Sequence, residues 1–186
     1  MARRNKPPAV HNNDTASLLK KINWTAVLIV LCTFGYCFYR ASRPSCGYNN
    51  GWVSDYTRQC FIPIPQEMTF HDAEAYCKAK FVGHLASIHN DGDASALNHH
   101  IRMVFPSIKY YYIGLNKYAC DNYMWQDNTD VNFKPPGFDM EDGSCAYIKS
   151  EDRRWFEGVC RHKKSFVCTK RADTVYDLVW KLYNRE

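Results

Sequence analysis

Nine cysteines, at positions 32, 37, 46, 60, 77, 120, 145, 160 and 168, are the residues whose type and spacing most constrain what this chain can do. Two lie in an apolar run, and the other seven are spread widely through the remainder. No two stand as C-x-x-C, and none has a histidine at zinc-finger spacing, so structural zinc is not expected. Widely spaced cysteines in a small domain point to disulfides and to an oxidising compartment. The side chains of covalent catalysis or phosphate binding are not grouped: there is no GxSxG, HExxH, GxGxxG or P-loop. His71, His84, His89, His99, His100 and His162 have no motif partners. The expectation is a non-enzyme.

The elements that position these cysteines begin with a membrane segment. Ile22–Tyr39 runs eighteen residues without a charge, and as a helix it would span ~27 Å, near the hydrocarbon thickness. Lys20 and Lys21 precede it, and Trp24, Tyr36 and Tyr39 suit the two interfaces. The net charge of +5 belongs entirely to residues 1–40, where six Lys/Arg face one acid, while the rest carries eighteen of each sign. The basic excess therefore reads as topology (cytoplasmic N-terminus, single-pass type II) and not as nucleic-acid binding. The expected organisation is a cytoplasmic arm 1–21, a signal-anchor 22–39, a short stalk 40–45, a cysteine-containing domain 46–171 and an amphipathic extension 172–186. At 186 residues one core of ordinary size is expected.

Within the domain, Thr69-Phe70-His71-Asp72 opens like a capping box, and Phe70, Ala73, Cys77 and Phe81 recur at helical spacing. A helix is predicted over 70–80, ended by Gly83, then a short strand over 84–88. Asn90 to Asp93 caps a second helix carrying Ala94, Leu97, Ile101, Val104 and Phe105 on one side, stopped by Pro106. Tyr110–Leu115 is an aromatic, β-prone run. Residues 116–143, rich in Asn, Asp, Pro and Gly with isolated aromatics, are predicted as a long irregular loop. Three closing strands follow, around 145–149, 154–156 and 165–168.

That order, with Gly51-Trp52 after the first domain cysteine, Ala73-Glu74 and Tyr76-Cys77 on the first helix, His84-Leu85-Ala86-Ser87-Ile88, Tyr112-Ile113-Gly114-Leu115, Trp125, Cys145, Trp155, Cys160 and Phe166-Val167-Cys168, resembles the C-type lectin-like domain over residues 46–170. The resemblance implies an α+β fold of two helices, two small antiparallel sheets and a long loop. It implies the pairs Cys77–Cys168, Cys145–Cys160 and, as in the family's long form, Cys46–Cys60. Cys120 is left over, and a disulfide-linked homodimer is expected through it.

Calcium-dependent members of that family bind sugars through an ion that needs six to eight oxygens. The family takes them from a Glu-Pro-Asn or Gln-Pro-Asp tripeptide and an Asn-Asp pair after the strand tryptophan. Here the corresponding residues are Lys134-Pro135-Pro136 and Trp155-Phe156-Glu157, so no cofactor is expected at the usual sugar site. The same loop face is then expected to bind a ligand directly, with Tyr118, Tyr123, Phe133, Phe138 and Glu157 as contacts, since aromatic residues dominate interface energetics. Arg153, Arg154, Arg161, Lys163 and Lys164 form a second candidate group, for a polyanion. The function expected is a cell-surface receptor or adhesion protein recognising a protein ligand without calcium. A glycan-binding lectin with a non-standard site and a viral envelope glycoprotein are the alternatives.

Overall fold

The computed structural model describes residues 24–48, 50–117, 122–141, 144–174 and 183. The chain divides into two units, Met1–Arg43 and Pro44–Glu186. In the first, helix α1 (Trp24–Ser42) presents Trp24, Leu28, Ile29, Leu31, Phe34 and Phe38 to the surface, with no acid in its first turn. Among the described residues no helix is long and apolar enough to cross a membrane, and Ile22 and Asn23 of the expected span lie outside them. The fold therefore does not show the span expected over 22–39.

The second unit is built on one mixed sheet. Its strands are β1 (Trp52–Val53), β2 (Gln59–Met68), β3 (His84–Leu85), β4 (Tyr110–Lys117), β5 (Tyr123–Trp125), β6 (Ser144–Lys149), β7 (Trp155–Val159) and β8 (Lys164–Arg171). The main order is β1-β2-β8-β4-β6-β7, with β3 paired to β8 and β5 to β4; only the β4–β8 contact is parallel. Ser45 and Asp173 exchange backbone hydrogen bonds of 2.9 and 2.8 Å, so the chain enters and leaves this unit side by side.

Strand alternation sends neighbouring residues to opposite faces. Tyr111, Ile113 and Val167 join one core with Ala94, Leu97 and Ile101 of helix α3 (Asp91–Val104), whereas Tyr112, Phe166 and Cys168 join another with Phe70, Ala73 and Cys77 of helix α2 (Phe70–Phe81). Both caps form: Thr69 accepts from the Asp72 amide and Asn90 from the Asp93 amide. Asp93 is fully buried in the first turn of α3, where Ser54 and Thr57 of the β1–β2 turn donate to its carboxylate. On α2 the buried Glu74 accepts from the Leu85 amide at 2.8 Å and meets His84 Nδ1 at 2.7 Å, binding the helix to β3. Val104 lies exposed, not on the buried side of α3, because the helix ends there.

The first residues of the ten-residue β2 pair with β1, the hairpin that the aromatic run Trp52–Cys60–Phe61 suggests, and Pro63 and Pro65 fall beyond Phe61, where β1 has ended and the outer edge needs no N–H. And α2 is capped not by Gly83 but by Val82, held at φ 54°, ψ 41° and 92% exposed. A β-branched residue in the left-handed region is strained, by roughly 1–2 kcal/mol. Val82→Gly should therefore raise the stability of this unit by ~1 kcal/mol, read as a higher urea midpoint at unchanged slope. A lower midpoint would contradict the strain.

Candidate ligand-binding face

The long loop has little regular structure, and aromatic packing holds it. Trp125 on β5 is fully buried with Trp155 of β7 6.2 Å away; Phe133 and Phe138 close on the same Trp155 ring at 6.0 and 5.5 Å. Phe133 and Phe138 are thus half-buried anchors whose remaining surface faces two clefts. One, of about 320 Å³, has apolar walls of Phe133, Pro135, Pro136 and Trp155 and the charged residues Asp91, Asp152 and Arg153. The other, of about 410 Å³, shares Pro135, Pro136, Arg153 and Trp155 and adds Phe138, Asp139 and Glu157. Arg153 stands at φ 61° in the β6–β7 turn, an uncommon conformation for a side-chain-bearing residue.

The carboxylates of this face are already engaged. Asp139 accepts from the Tyr123 hydroxyl, from the Met140 amide at 2.8 Å and from Lys117 Nζ at 3.4 Å. The Tyr123 hydrogen bond first, then the Met140 amide, hold its carboxyl down at about 2. Lys117, only 6% exposed, also donates to the Met140 carbonyl at 2.5 Å. Burial and the Asp139 hydrogen bond push the Tyr123 phenol up, and Lys134 Nζ lies 3.6 Å from its ring centroid. Glu157 accepts from the Glu141 amide and from Ser144 Oγ at 3.0 Å. Phe156, in place of an amide, stacks on Tyr147.

These residues do not fit a calcium ion. A lysine and a proline flank Pro135, one oxygen of each of two carboxylates is taken by internal donors, and a buried ammonium already contributes the positive charge. Among the described residues no three His, Cys, Asp or Glu side chains converge on a point that could hold a metal.

Of the expected contacts, Phe133, Phe138 and Glu157 line the clefts, while Tyr123 is taken up by Asp139 and Lys134. Tyr118 and Cys120 lie outside the described residues, as does the extension from 175 onward apart from Tyr183. Of the expected basic group, Arg153 and Arg154 precede β7 and Arg161, Lys163 and Lys164 follow it; Arg154 lies 5.6 Å from the Phe156 ring centroid and Lys164 4.1 Å from that of Tyr147, on which Phe156 stacks. Lys117 carried no sequence signal, because a lysine in an aromatic strand reads as an exposed residue.

Three disulfides tie the unit together: Cys46–Cys60, Cys77–Cys168 and Cys145–Cys160. Helices on opposite faces of one sheet, α2 bolted to the last strand, and a long loop anchored on a strand tryptophan define a C-type lectin-like binding module. The family model described as the lectin C-type domain matches residues 66–170. The chain belongs to that family. It is 27% identical over 126 residues to one chain of the snaclec coagulation factor IX/factor X-binding protein from Gloydius halys, covering 66% of this chain and 82% of that one. It is 27% identical over 154 residues to the galactose-specific lectin nattectin of Thalassophryne nattereri, covering 80% and 96%. Human lithostathine superposes with a TM-score of 0.57 at 21% identity, over 67% of this chain and 90% of that one. Membership of the lectin C-type family, with these relatives, marks a binding protein and not an enzyme.

Proposed function

We propose that this chain is a membrane-tethered receptor or adhesion protein that binds a protein ligand on the long-loop face without calcium. The observation that carries the reading is the engagement of Asp139 Oδ1 and Glu157 Oε2 by internal donors, Lys117 Nζ among them, beside an apolar cleft walled by Phe133, Pro135, Pro136 and Trp155. With the Lys117 ammonium already beside Asp139, a calcium ion here would meet a positive charge where it needs further oxygens. An apolar socket edged by Asp91, Asp152 and Arg153 suits a hydrophobic anchor side chain with a charged neighbour, which is how protein interfaces concentrate their energy. The relative whose name describes coagulation-factor binding is in keeping with a protein ligand. The tether is supported by the uncharged run Ile22–Tyr39 and by the exposed apolar surface of α1.

The test is calcium titration of the full-length chain followed by thermal melting. A site filled about 100-fold above its dissociation constant would add ~2.7 kcal/mol and raise the melting temperature by several degrees. The expected shift is below about one degree. Multimers of the chain should stain ligand-bearing cells equally in calcium and in chelator, and protease treatment of those cells should abolish staining. Calcium-dependent, sugar-competed staining would overturn the reading, and release of the chain from membranes by alkaline carbonate would remove the tether.

A further inference from the structure

The sheet face that carries α2 is only partly covered. The helix packs over β8 and β2 and reaches Tyr112 through Phe70, whose ring centroid is 5.5 Å away. Past that point β4, β6 and β7 present a cross-strand row in which Tyr112 pairs with Tyr147, and Tyr147 with Phe156. Tyr147 and Phe156 stack at 5.6 Å with planes 18° apart, and Tyr110, 43% exposed, meets Tyr147 edge-on at 5.9 Å. A cleft of about 360 Å³ lies over Tyr110, Tyr147, Lys149, Phe156 and Lys164. A second, of about 580 Å³, continues from Tyr110 and Lys149 towards Arg102 and Lys109.

The lining of this strip is mainly basic. Arg102, Lys109, Lys149 and Lys164 line the two clefts with one lining acid, Glu151, which Lys149 meets at 2.9 Å; Asp152 lies 3.8 Å from the same ammonium and Glu67 acts on Lys164 from outside the clefts. Arg102, Lys109 and Lys164 make no ion pair within 4.0 Å among the described residues. Lys164 Nζ stands 4.1 Å from the Tyr147 centroid and 5.7 Å from that of Tyr110, a cation held on ring faces. Outside residues 1–40 the charges balance, so this excess is a local feature and not a share of a general positive field.

We propose that the β4–β6–β7 face is a second binding surface, taking a sulfated polysaccharide chain. Flat ring faces stack against the C–H side of a sugar ring, and the flanking ammonium and guanidinium groups pair with sulfate oxygens. An acidic peptide fits less well, because the strip is shallow and polar-edged and offers no socket like the Phe133–Trp155 cleft for the anchor a peptide interface relies on. The surface shares no residue with the Phe133–Trp155 cleft and only Phe156 with the cleft beside it, and the residues substituted below line neither, so the inference can fail without the protein-ligand reading.

The probe is heparin, titrated against the full-length chain over a range of salt. Binding should persist at about 0.15 M salt. The variant R102Q/K109Q/K164Q should weaken it by a factor of about 10 to 100 and flatten its salt dependence by two to three counter-ions, roughly one per cation removed. The charge-matched variant R58Q/K80Q/R171Q, at the other end of the sheet, should stay within about twofold, since charges farther off than a Debye length are screened. Tyr110→Ala should weaken binding at an unchanged salt slope, which a purely electrostatic patch would not show. Melting curves of each variant confirm folding. No binding by the wild type at that salt, equal loss in both triple variants, or equal binding of polyglutamate would each overturn the proposal.

Discussion

Replacing Cys77 and Cys168 together by alanine should destabilise the second unit more than removing either other disulfide. The bond joins residues 91 apart in sequence, and in the chain-entropy estimate a loop of that size is worth ~4.6 kcal/mol. Cys46–Cys60 and Cys145–Cys160 span 14 and 15 residues, for ~3 kcal/mol each. Both Cys77 and Cys168 are fully buried, in the core that α2 shares with β8. The substitution therefore also loses sulfur packing against Phe70, Phe81 and Phe166. Since domains of this size are stable by only ~5–15 kcal/mol in total, the double variant should unfold at a far lower urea concentration, or fail to fold at 37 °C. Non-reducing urea melts of the three double variants check the order. A Cys77/Cys168 variant no less stable than the Cys145/Cys160 variant would show that the denatured chain is not the open loop this estimate assumes.

That bond also shows which features were legible before any coordinates. The helical spacing of Phe70, Ala73, Cys77 and Phe81 and the caps at Thr69 and Asn90 are local signals, and both helices form where those signals place them. The aromatic run at Tyr110 and the three closing segments, two of them bearing cysteines, become β4, β6, β7 and β8. What local pattern cannot carry is close approach between distant segments. The hairpin of Trp52 and Phe61 is a local signal, but the pairing of Phe61 with Thr169 across the sheet is not. In the site, the exchange of Asn-Asp for Phe156-Glu157 was readable, and it bears directly on the donor set. The ammonium of Lys117 under the loop was not, since burying a lysine makes sense only once Asp139 and the Met140 carbonyl are seen to receive it.

Gly83 is the sharpest case of that limit, and it supports the second large effect. In sequence it looks like a helix terminator, a role that Val82 fills. Its real constraint is space: a Cβ there would lie 2.0 Å from the Thr169 carbonyl oxygen and 3.0 Å from the Thr169 carbonyl carbon. Those are backbone atoms of β8, in the pair where His84 faces Thr169 and Leu85 faces Cys168. Gly83→Ala must therefore push β3 off β8. β3 is held on its other side by Glu74, so the displacement strains the Leu85 amide bond and the adjoining Cys77–Cys168 link. Overpacking against fixed backbone should cost ~3 kcal/mol or more. Gly137→Ala is the control, because its Cβ would meet nothing within 4 Å and only its φ of +74° opposes the change, for ~1–2 kcal/mol. Hydrogen exchange at the Ala86 amide, which donates to the Val167 carbonyl at 2.8 Å, should accelerate in the Gly83 variant alone. Equal urea midpoints for the two variants would mean that β3 yields without resistance, and that the α2–β3–β8 junction does not hold this fold together.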